Sequence, residues 1–400
     1  STFSTENDNL KREFTIKEPN KTFKKIWQLI SPCITGYLIK KAYEKTKKDR
    51  FLNQNQDSEK ITIYKKDFVV LRNLGFGSFF NVDLIYHLER CELMAIKTQH
   101  ILDDNIDKLQ NRERENYMKL KHPLLPKFYN SPKGENYLVM EFINGQTLDN
   151  IDKLHLNDKE VVTIIFELIL IVEYLHSNNM IYRDLKPNNI IIDDYKNVVL
   201  IDFDRLIEND PSEEQSKDFG TSFTDPNVQS EPFSEKSDIY SLGKIIEVIN
   251  DKKMLECDSS LKQRILDIIR YCDNLKSDVI IPTLQLFIFF VESFYPMIQT
   301  KHLPDIFKRI FSKYKNPLCN PYIQMKIGKM YYSIHKNYQN ISFLKEAIRF
   351  FILAANQNIP QAQYFLGFVY HEGKHISRDV SKSIHYFTLA ADQNMPEAQY

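Results

Sequence analysis

The chain has 400 residues and carries 53 Lys and Arg against 53 Asp and Glu, a formal charge of +0, so no global field draws it to nucleic acid or to an anionic membrane. Its 42% hydrophobic and 26% charged residues are those of an ordinary globular protein, with length enough for two or three domains. The five cysteines (Cys33, Cys91, Cys257, Cys272, Cys319) are scattered without a CxxC pair, which argues against a disulfide framework or a zinc site and for a reducing compartment.

Ser1 opens a polar stretch rather than an apolar leader. The most apolar runs, Val161 to Val172 and Val279 to Val291, are too short to span a bilayer and read as buried helices. A soluble, cytoplasmic chain with no transmembrane segment is expected. Residues 1–60 hold basic clusters at Lys24-Lys25, Lys40-Lys41 and Lys45 to Arg50, and an apolar patch of Ile26, Trp27, Leu29 and Ile30. They fit a basic amphipathic helix at a membrane surface or a partly helical or disordered extension.

Strands begin near Ile61. Asp67 to Leu74 leads into Gly75-Phe76-Gly77-Ser78-Phe79-Phe80-Asn81-Val82, alternation continues through Leu84-Ile85-Tyr86, and a third strand reads Leu93-Met94-Ala95-Ile96-Lys97. Two strands joined by a glycine-rich turn make either a plain hairpin or a flap whose backbone N–H groups can lie over phosphates. Asp103 to Lys121 reads as a charged helix ended by His122-Pro123, because proline disfavours helix in the residue before it. Asn136 to Phe142 is an apolar strand closed by the turn Ile143-Asn144-Gly145. Asn157 with Glu160 forms a capping box for a helix running through Val161 to His176, apolar almost all round and hence central. His122 and His176 sit at helix ends with no metal-ligand spacing and read as structural.

The densest chemistry follows. Tyr182-Arg183-Asp184-Leu185-Lys186-Pro187-Asn188-Asn189 precedes the apolar Ile190-Ile191-Ile192 and then Leu200-Ile201-Asp202-Phe203. An Asp and an Asn five positions apart, then a second Asp beyond a short strand, supply what phosphoryl transfer needs: one carboxylate for the hydroxyl proton, an amide and a carboxylate for magnesium. Residues 204–224 are polar and mostly aperiodic, and Ser237-Asp238-Ile239-Tyr240-Ser241-Leu242-Gly243 opens a run of helices reaching about Met297.

The last part repeats itself. Ala354-Ala355-Asn356-Gln357-Asn358-Ile359-Pro360-Gln361-Ala362-Gln363-Tyr364 recurs as Ala390-Ala391-Asp392-Gln393-Asn394-Met395-Pro396-Glu397-Ala398-Gln399-Tyr400, a shift of 396 − 360 = 36 residues. A looser copy starts at Asn320-Pro321, with Ile327-Gly328 paralleling Leu366-Gly367. Such a period signals stacked helix pairs, and a solenoid stopping at Tyr400 would lack a cap, so a longer natural chain is expected.

In order and spacing, residues 62 to 297 resemble the catalytic domain of eukaryotic protein kinases of the serine/threonine type, and the tail resembles Sel-like repeats, relatives of tetratricopeptide repeats. The fold class implied is α+β, a bilobal kinase fold followed by an all-α helix-pair solenoid. The division is an extension over 1–60, a kinase domain over 61–297, a linker over 298–319 and repeats over 320–400. The resemblance implies ATP and Mg2+ as cofactors, a protein substrate, and a protein partner on the repeats, without nucleic acid.

Residue by residue, the resemblance gives Lys97 the α- and β-phosphates, with Glu113 as its partner (Glu115 the runner-up). Asp184 is the base, Lys186 steadies the γ-phosphate, and Asn189 and Asp202 hold magnesium. Gly75, Gly77 and Val82 cover the nucleotide, Ala95 and Ile191 sandwich adenine, Met140 lies behind it, and Glu141, Phe142 and Ile143 present backbone groups. Phe128, Tyr117, Phe203 and Tyr182 correspond to an internal aromatic spine, and Asp238 braces the Asp184 loop. Arg183 implies a phosphate partner at Ser216 or Thr221, or a standing charge from Glu213, Glu214 or Asp218.

The chain departs from the family at four places. Phe80 replaces a third loop glycine, Asp204 replaces the glycine after Asp202-Phe203, Asn227 replaces a closing glutamate, and Ile281 stands where that glutamate's arginine partner would be. Two functions stay open: an active serine/threonine kinase whose repeats recruit partners or substrates, and a weak or inactive pseudokinase serving as a nucleotide-binding scaffold.

Overall fold

The computed structural model describes residues 63–64, 67–101, 103–129, 135–209, 222–229, 232–253, 259–275, 282–298, 303–313, 320–374 and 376–398. Expectations for residues 1–60, Ser216, Thr221, the charges at 213, 214 and 218, Ile281 and Tyr400 lie outside them. The chain divides into two compact units, residues 1–110 with 127–142, and 111–126 with 143–400.

The first unit is built on an antiparallel sheet of β1 (Phe68–Phe76), β2 (Phe80–His87), β3 (Glu92–Gln99), β4 (Phe128–Tyr129) and β5 (Tyr137–Glu141), in the order β1-β2-β3-β5-β4. Strand side chains alternate between faces, so the register decides what each face carries. One face is closed by a core of Ile63, Ile85, Met94, Ile96, Tyr129, Tyr137 and Val139. Pairing of Val82 with Lys97, Leu84 with Ala95 and Ala95 with Met140 collects Val82, Ala95, Lys97 and Met140 on the other. Helix α1 (Asp104–Lys119) follows, and Gln99 Nε2 donates to its Asp107 Oδ1 at 2.8 Å.

In the second unit, α2 (Asp158–Ser177) begins at the expected box: Asn157 Oδ1 accepts from Glu160 N, and Glu160 Oε2 accepts from Asn157 N. Its buried residues run from Val161 to His176 on nearly every side. Small sheets of β6 (Gly145–Thr147), β8 (Ile190–Asp193) and β9 (Val198–Leu200), and of β7 (Met180–Ile181) with β10 (Ile207–Glu208), hold the loops between them. Helices α3 (Glu235–Lys253), α4 (Ser259–Asp273) and α5 (Pro282–Phe294) come next. Within the stretch read as a linker lies α6 (Leu303–Lys313), whose Ile306, Phe307, Ile310 and Phe311 are buried. No helix among the described residues is long and apolar enough to cross a membrane.

The repeats form two helix pairs, α7 (Pro321–Tyr338) with α8 (Ile341–Ala355) and α9 (Pro360–Glu372) with α10 (Val380–Asp392). Proline at the first turn of α7 and α9 uses a position where no N–H is needed. Asn320, Asn340 and Asp379 cap α7, α8 and α10 through their side chains. Asn358 and Asn394 occupy equivalent left-handed positions (φ 60° and 61°), which asparagine tolerates better than most residues. The glutamines of the repeated segment tie the two helices of each pair together: Gln357 Nε2, just after α8, donates to Gln324 Oε1 of α7 at 3.0 Å, and Gln393 Nε2, just after α10, to Gln363 Oε1 of α9 at 2.7 Å.

The repeats continue the core of the second unit. Phe166 of α2 meets Phe287 of α5 at 6.0 Å between centroids; Phe287 meets Phe307 of α6 at 5.8 Å, and Phe307 meets Tyr331 of α7 at 5.6 Å. Tyr331 stacks on Phe350 of α8 at 5.9 Å, and Phe351 stacks on Phe365 of α9 at 5.2 Å. Removing a fully buried phenylalanine of this series costs about 3–5 kcal/mol. Phe287→Ala is therefore expected to lower stability by about that amount, and to shift helical melting as one transition spanning the repeats, measured by circular dichroism.

The small residues of the repeat have a steric reason. A Cβ on Gly328 would stand 2.6 Å from the ring of Phe351, and one on Gly367 would stand 2.7 Å from the ring of Phe387. Phe351 is fully buried whereas Phe387 is half-buried and has room to yield. Gly328→Val is expected to destabilise by about 1–3 kcal/mol through overpacking, and Gly367→Val by less, in paired urea denaturations.

Candidate functional site

In the second unit the loop after α2 is held by one buried carboxylate. Asp238 Oδ1 accepts from the Arg183 amide and Oδ2 from the Tyr182 amide, both at 2.8 Å, while His176 Nε2 lies 3.0 Å from Oδ2. His176 Nδ1 meets Thr283 Oγ1, so both ring nitrogens serve structure. Arg183 takes the left-handed conformation (φ 69°), a strained choice for a long side chain that these bonds enforce.

Beyond it, Asp184, Lys186 and Asn189 are in mutual contact. Lys186 Nζ donates to both Asp184 oxygens at 3.0 and 2.7 Å, and Asn189 Nδ2 donates to Asp184 Oδ2 and to the Asp184 carbonyl, each at 3.0 Å. The 3-10 turn Pro187–Asn189 that brings Asn189 back starts at proline, whose fixed φ suits it. A carboxylate oriented from two sides is arranged to accept a proton from a hydroxyl approaching along its remaining lone pairs.

The turn after β9 carries Asp202, also left-handed (φ 68°). Side chains from two elements pin its carbonyls. The Tyr182 hydroxyl donates to the Ile201 and Asp202 carbonyls, Asn116 Nδ2 to those of Phe203 and Leu206 (both 3.0 Å), and Arg183 Nε to that of Arg205 (2.7 Å). Burial, with the Asp202 and Asp184 carboxylates adding to it, pushes the Tyr182 phenol well above its ordinary range, so it stays a donor. The buried ring of Phe203 is met edge-on by Tyr117 at 4.8 Å and Tyr182 at 5.9 Å, three of the four spine aromatics. The buried Glu113 accepts from the Phe203 amide at 3.4 Å. Ile191 is half-buried between the buried Ile190 and Ile192, and Ile143 is buried.

Asn116 was not legible as a site residue. Its cue was position: Ile106, Gln110, Glu113, Asn116, Tyr117 and Leu120 follow helical spacing and are all buried, so its amide needed a partner.

In the first unit Lys97 is buried on β3, its Nζ 4.7 Å from the centroid of the Phe80 ring. The glycine-rich turn is closed by Gly77 N donating to Phe80 O at 2.9 Å, while a Cβ on Gly75 would meet nothing within 4 Å. Asn73 Nδ2 braces the hairpin through Asp83 Oδ1 at 2.8 Å. At the end of β5, Glu141 N donates to Lys127 O at 2.7 Å and Glu141 Oε2 accepts from Lys127 N at 3.1 Å.

The departures read from sequence have local settings. Asp204 keeps an ordinary negative φ, and one of its oxygens lies 3.9 Å from Arg205 Nε. Asn227 is exposed in the turn Pro226–Gln229, its amide N–H donating to Asp225 Oδ1 at 2.9 Å. Among the described residues no group of three or more His, Cys, Asp or Glu side chains could hold a metal ion.

Comparison with known proteins meets this geometry. Residues 68–312 match the family described as protein kinase domain, more than half of the chain, and residues 344–359 and 360–395 match the Sel1 repeat. An Aurora kinase of Eremothecium gossypii is 31% identical over 186 residues, covering 44% of this chain and 51% of that protein. An Aurora kinase of Saccharomyces cerevisiae is 30% identical over 205 residues, 48% of this chain and 56% of that one. The human 3-phosphoinositide-dependent protein kinase 1 is 31% identical over 194 residues, 45% and 35% of the respective chains. The chain thus spans about half the length of the Aurora relatives and about a third of the human one. By the match over residues 68–312 the chain belongs to the protein kinase domain family, and it carries Sel1 repeats behind that domain.

Proposed function

We propose that this chain transfers the γ-phosphoryl group of Mg-ATP to serine or threonine hydroxyls of a protein, and that its Sel1 repeats recruit the substrate or a partner protein. The observation that carries the reading is the Asp184 carboxylate, held between the Lys186 ammonium and the Asn189 amide. Relatives named as serine/threonine kinases support the choice of hydroxyl.

The donor set fits magnesium. With the Asn189 nitrogen committed to Asp184, its amide oxygen is the atom left to face a cation, and Asp202 adds a carboxylate. Magnesium commonly takes one or two protein oxygens and completes its shell with substrate phosphates and water. Bound there, it neutralises charge on the phosphate oxygens.

The chain's own residues then divide the work. Asp184 accepts the proton of the attacking hydroxyl, and Lys186 keeps a positive charge beside that carboxylate as the phosphoryl group moves. In this reading Lys97 binds the α- and β-phosphates with Glu113 as its partner, and Ala95, Met140, Ile143 and Ile191 line the adenine. One observation favours the second reading, a nucleotide-binding scaffold: the ring of Phe80 already lies against the Lys97 ammonium.

With Mg-ATP and a generic basic protein, Asp184→Asn is expected to lower transfer by about 10²–10⁴-fold, with nucleotide binding retained in a titration. Absence of transfer in the unaltered chain, with nucleotide bound, selects the scaffold.

Asn116→Leu keeps the size of the side chain but removes the amide donor from the buried Leu206 carbonyl and leaves the Phe203 carbonyl with the longer bond from the Leu206 amide at 3.4 Å, a loss of about 1–3 kcal/mol. Faster amide hydrogen exchange across 203–206 is expected, with the magnesium concentration for half-maximal transfer raised about tenfold for each 1.4 kcal/mol lost at the turn.

A further inference from the structure

Phe80 occupies the place of a third loop glycine, and its surroundings give that replacement a consequence. Alternation puts Phe80, Val82 and Leu84 on one face of β2, and the pairings of Val82 with Lys97 and Leu84 with Ala95 put Lys97 and Ala95 on the same face. This face is opposite the one sealed by Ile85, Met94 and Ile96. Phe80 itself pairs with Gln99, which makes Lys97 its diagonal neighbour, within reach of a long side chain. The Lys97 ammonium lies 4.7 Å from the ring centroid, and the two residues are only 7% and 8% exposed.

A cation over an aromatic face is attracted by the ring quadrupole, the more so when water is excluded. The ring offers a phosphate no donor, whereas a glycine at that point would leave backbone N–H groups approachable. Phe80 is also anchored through its backbone, since its carbonyl accepts from Gly77 N at 2.9 Å.

We propose that Phe80 is a selectivity residue for the nucleotide: its ring covers the side of the Lys97 ammonium at which phosphates arrive, so phosphate-bearing nucleotides are weakened while adenosine is not. The inference rests on the reading of Lys97 as the phosphate-binding lysine. On that side a nucleotide reaches the ammonium by displacing the ring, and that cost falls on ATP and ADP but not on the nucleoside.

The test is calorimetric titration of the full chain with adenosine and with Mg-ATP, in the unaltered protein and in Phe80→Gly. Phe80→Ala serves as a second variant should glycine loosen β2, and thermal melts establish folding. Removal of the ring is expected to tighten Mg-ATP about tenfold, equivalent to about 1.4 kcal/mol, with adenosine changed less than about twofold. Mg-ATP affinity unchanged, or both ligands shifting together, overturns the role of Phe80 and leaves the kinase reading standing. Adenosine and Mg-ATP both failing to bind folded protein of every variant overturns the nucleotide reading, and the proposal falls with it.

Discussion

The buried carboxylate of Asp238 is the constraint on which the chemistry of the second unit depends. It sits at the start of α3 and takes two backbone N–H groups and an imidazole, so its charge is satisfied by bonds rather than by solvent. Those bonds fix Arg183 in the left-handed region, at a cost of about 1–3 kcal/mol that the rest of the loop must offset. Once Tyr182 and Arg183 are fixed, the hydroxyl of one and the guanidinium of the other reach the carbonyls of the turn bearing Asp202. One acidic side chain thereby sets the position of both the Asp184 loop and the Asp202 turn.

The departures from the family pattern are tolerable in proportion to what they touch. Asp204 has an ordinary backbone conformation, so the missing glycine imposes no strain on the conformer seen, and Arg205 lies near its charge. Asn227 is exposed, where loss of a carboxylate costs little desolvation either way. Phe80 differs because it lies on the face that holds Lys97, a residue whose role in the proposed reaction is direct.

What the sequence made legible follows from how tightly chemistry restricts residue type. Asp184, Lys186 and Asn189 were readable because their contacts lie within one loop and demand fixed spacing; the structure puts all three within hydrogen-bond reach. The capping box at Asn157 and the repeat registers at Asn358 and Asn394 were readable for the same local reason. Asn116 was not, because its partners lie about ninety residues away and a single polar residue on a charged helix has no signature. The helix Leu303–Lys313 was missed although Ile306, Phe307, Ile310 and Phe311 have helical spacing. Four apolar positions between polar neighbours are weak evidence until the aromatic rings they meet, on α5, α7 and α8, are known.

Helix α5 joins the two halves of the second unit's architecture. At its start Thr283 touches His176, the residue that shares Asp238, and one turn later Phe287 meets Phe307 of α6, which in turn meets Tyr331 of the repeats. Thr283, Phe287 and Phe307 are all fully buried, and close-packed interiors resist small continuous displacement. A protein bound to the repeats would therefore find them behaving as a fixed extension of the helices beneath the Asp184 loop. On the proposed recruitment of a substrate, binding there would hold it at a set distance and direction and raise its local concentration without requiring the loop itself to change shape. Transmission of a conformational signal along the same route would require a second packing of α5 against these aromatic neighbours.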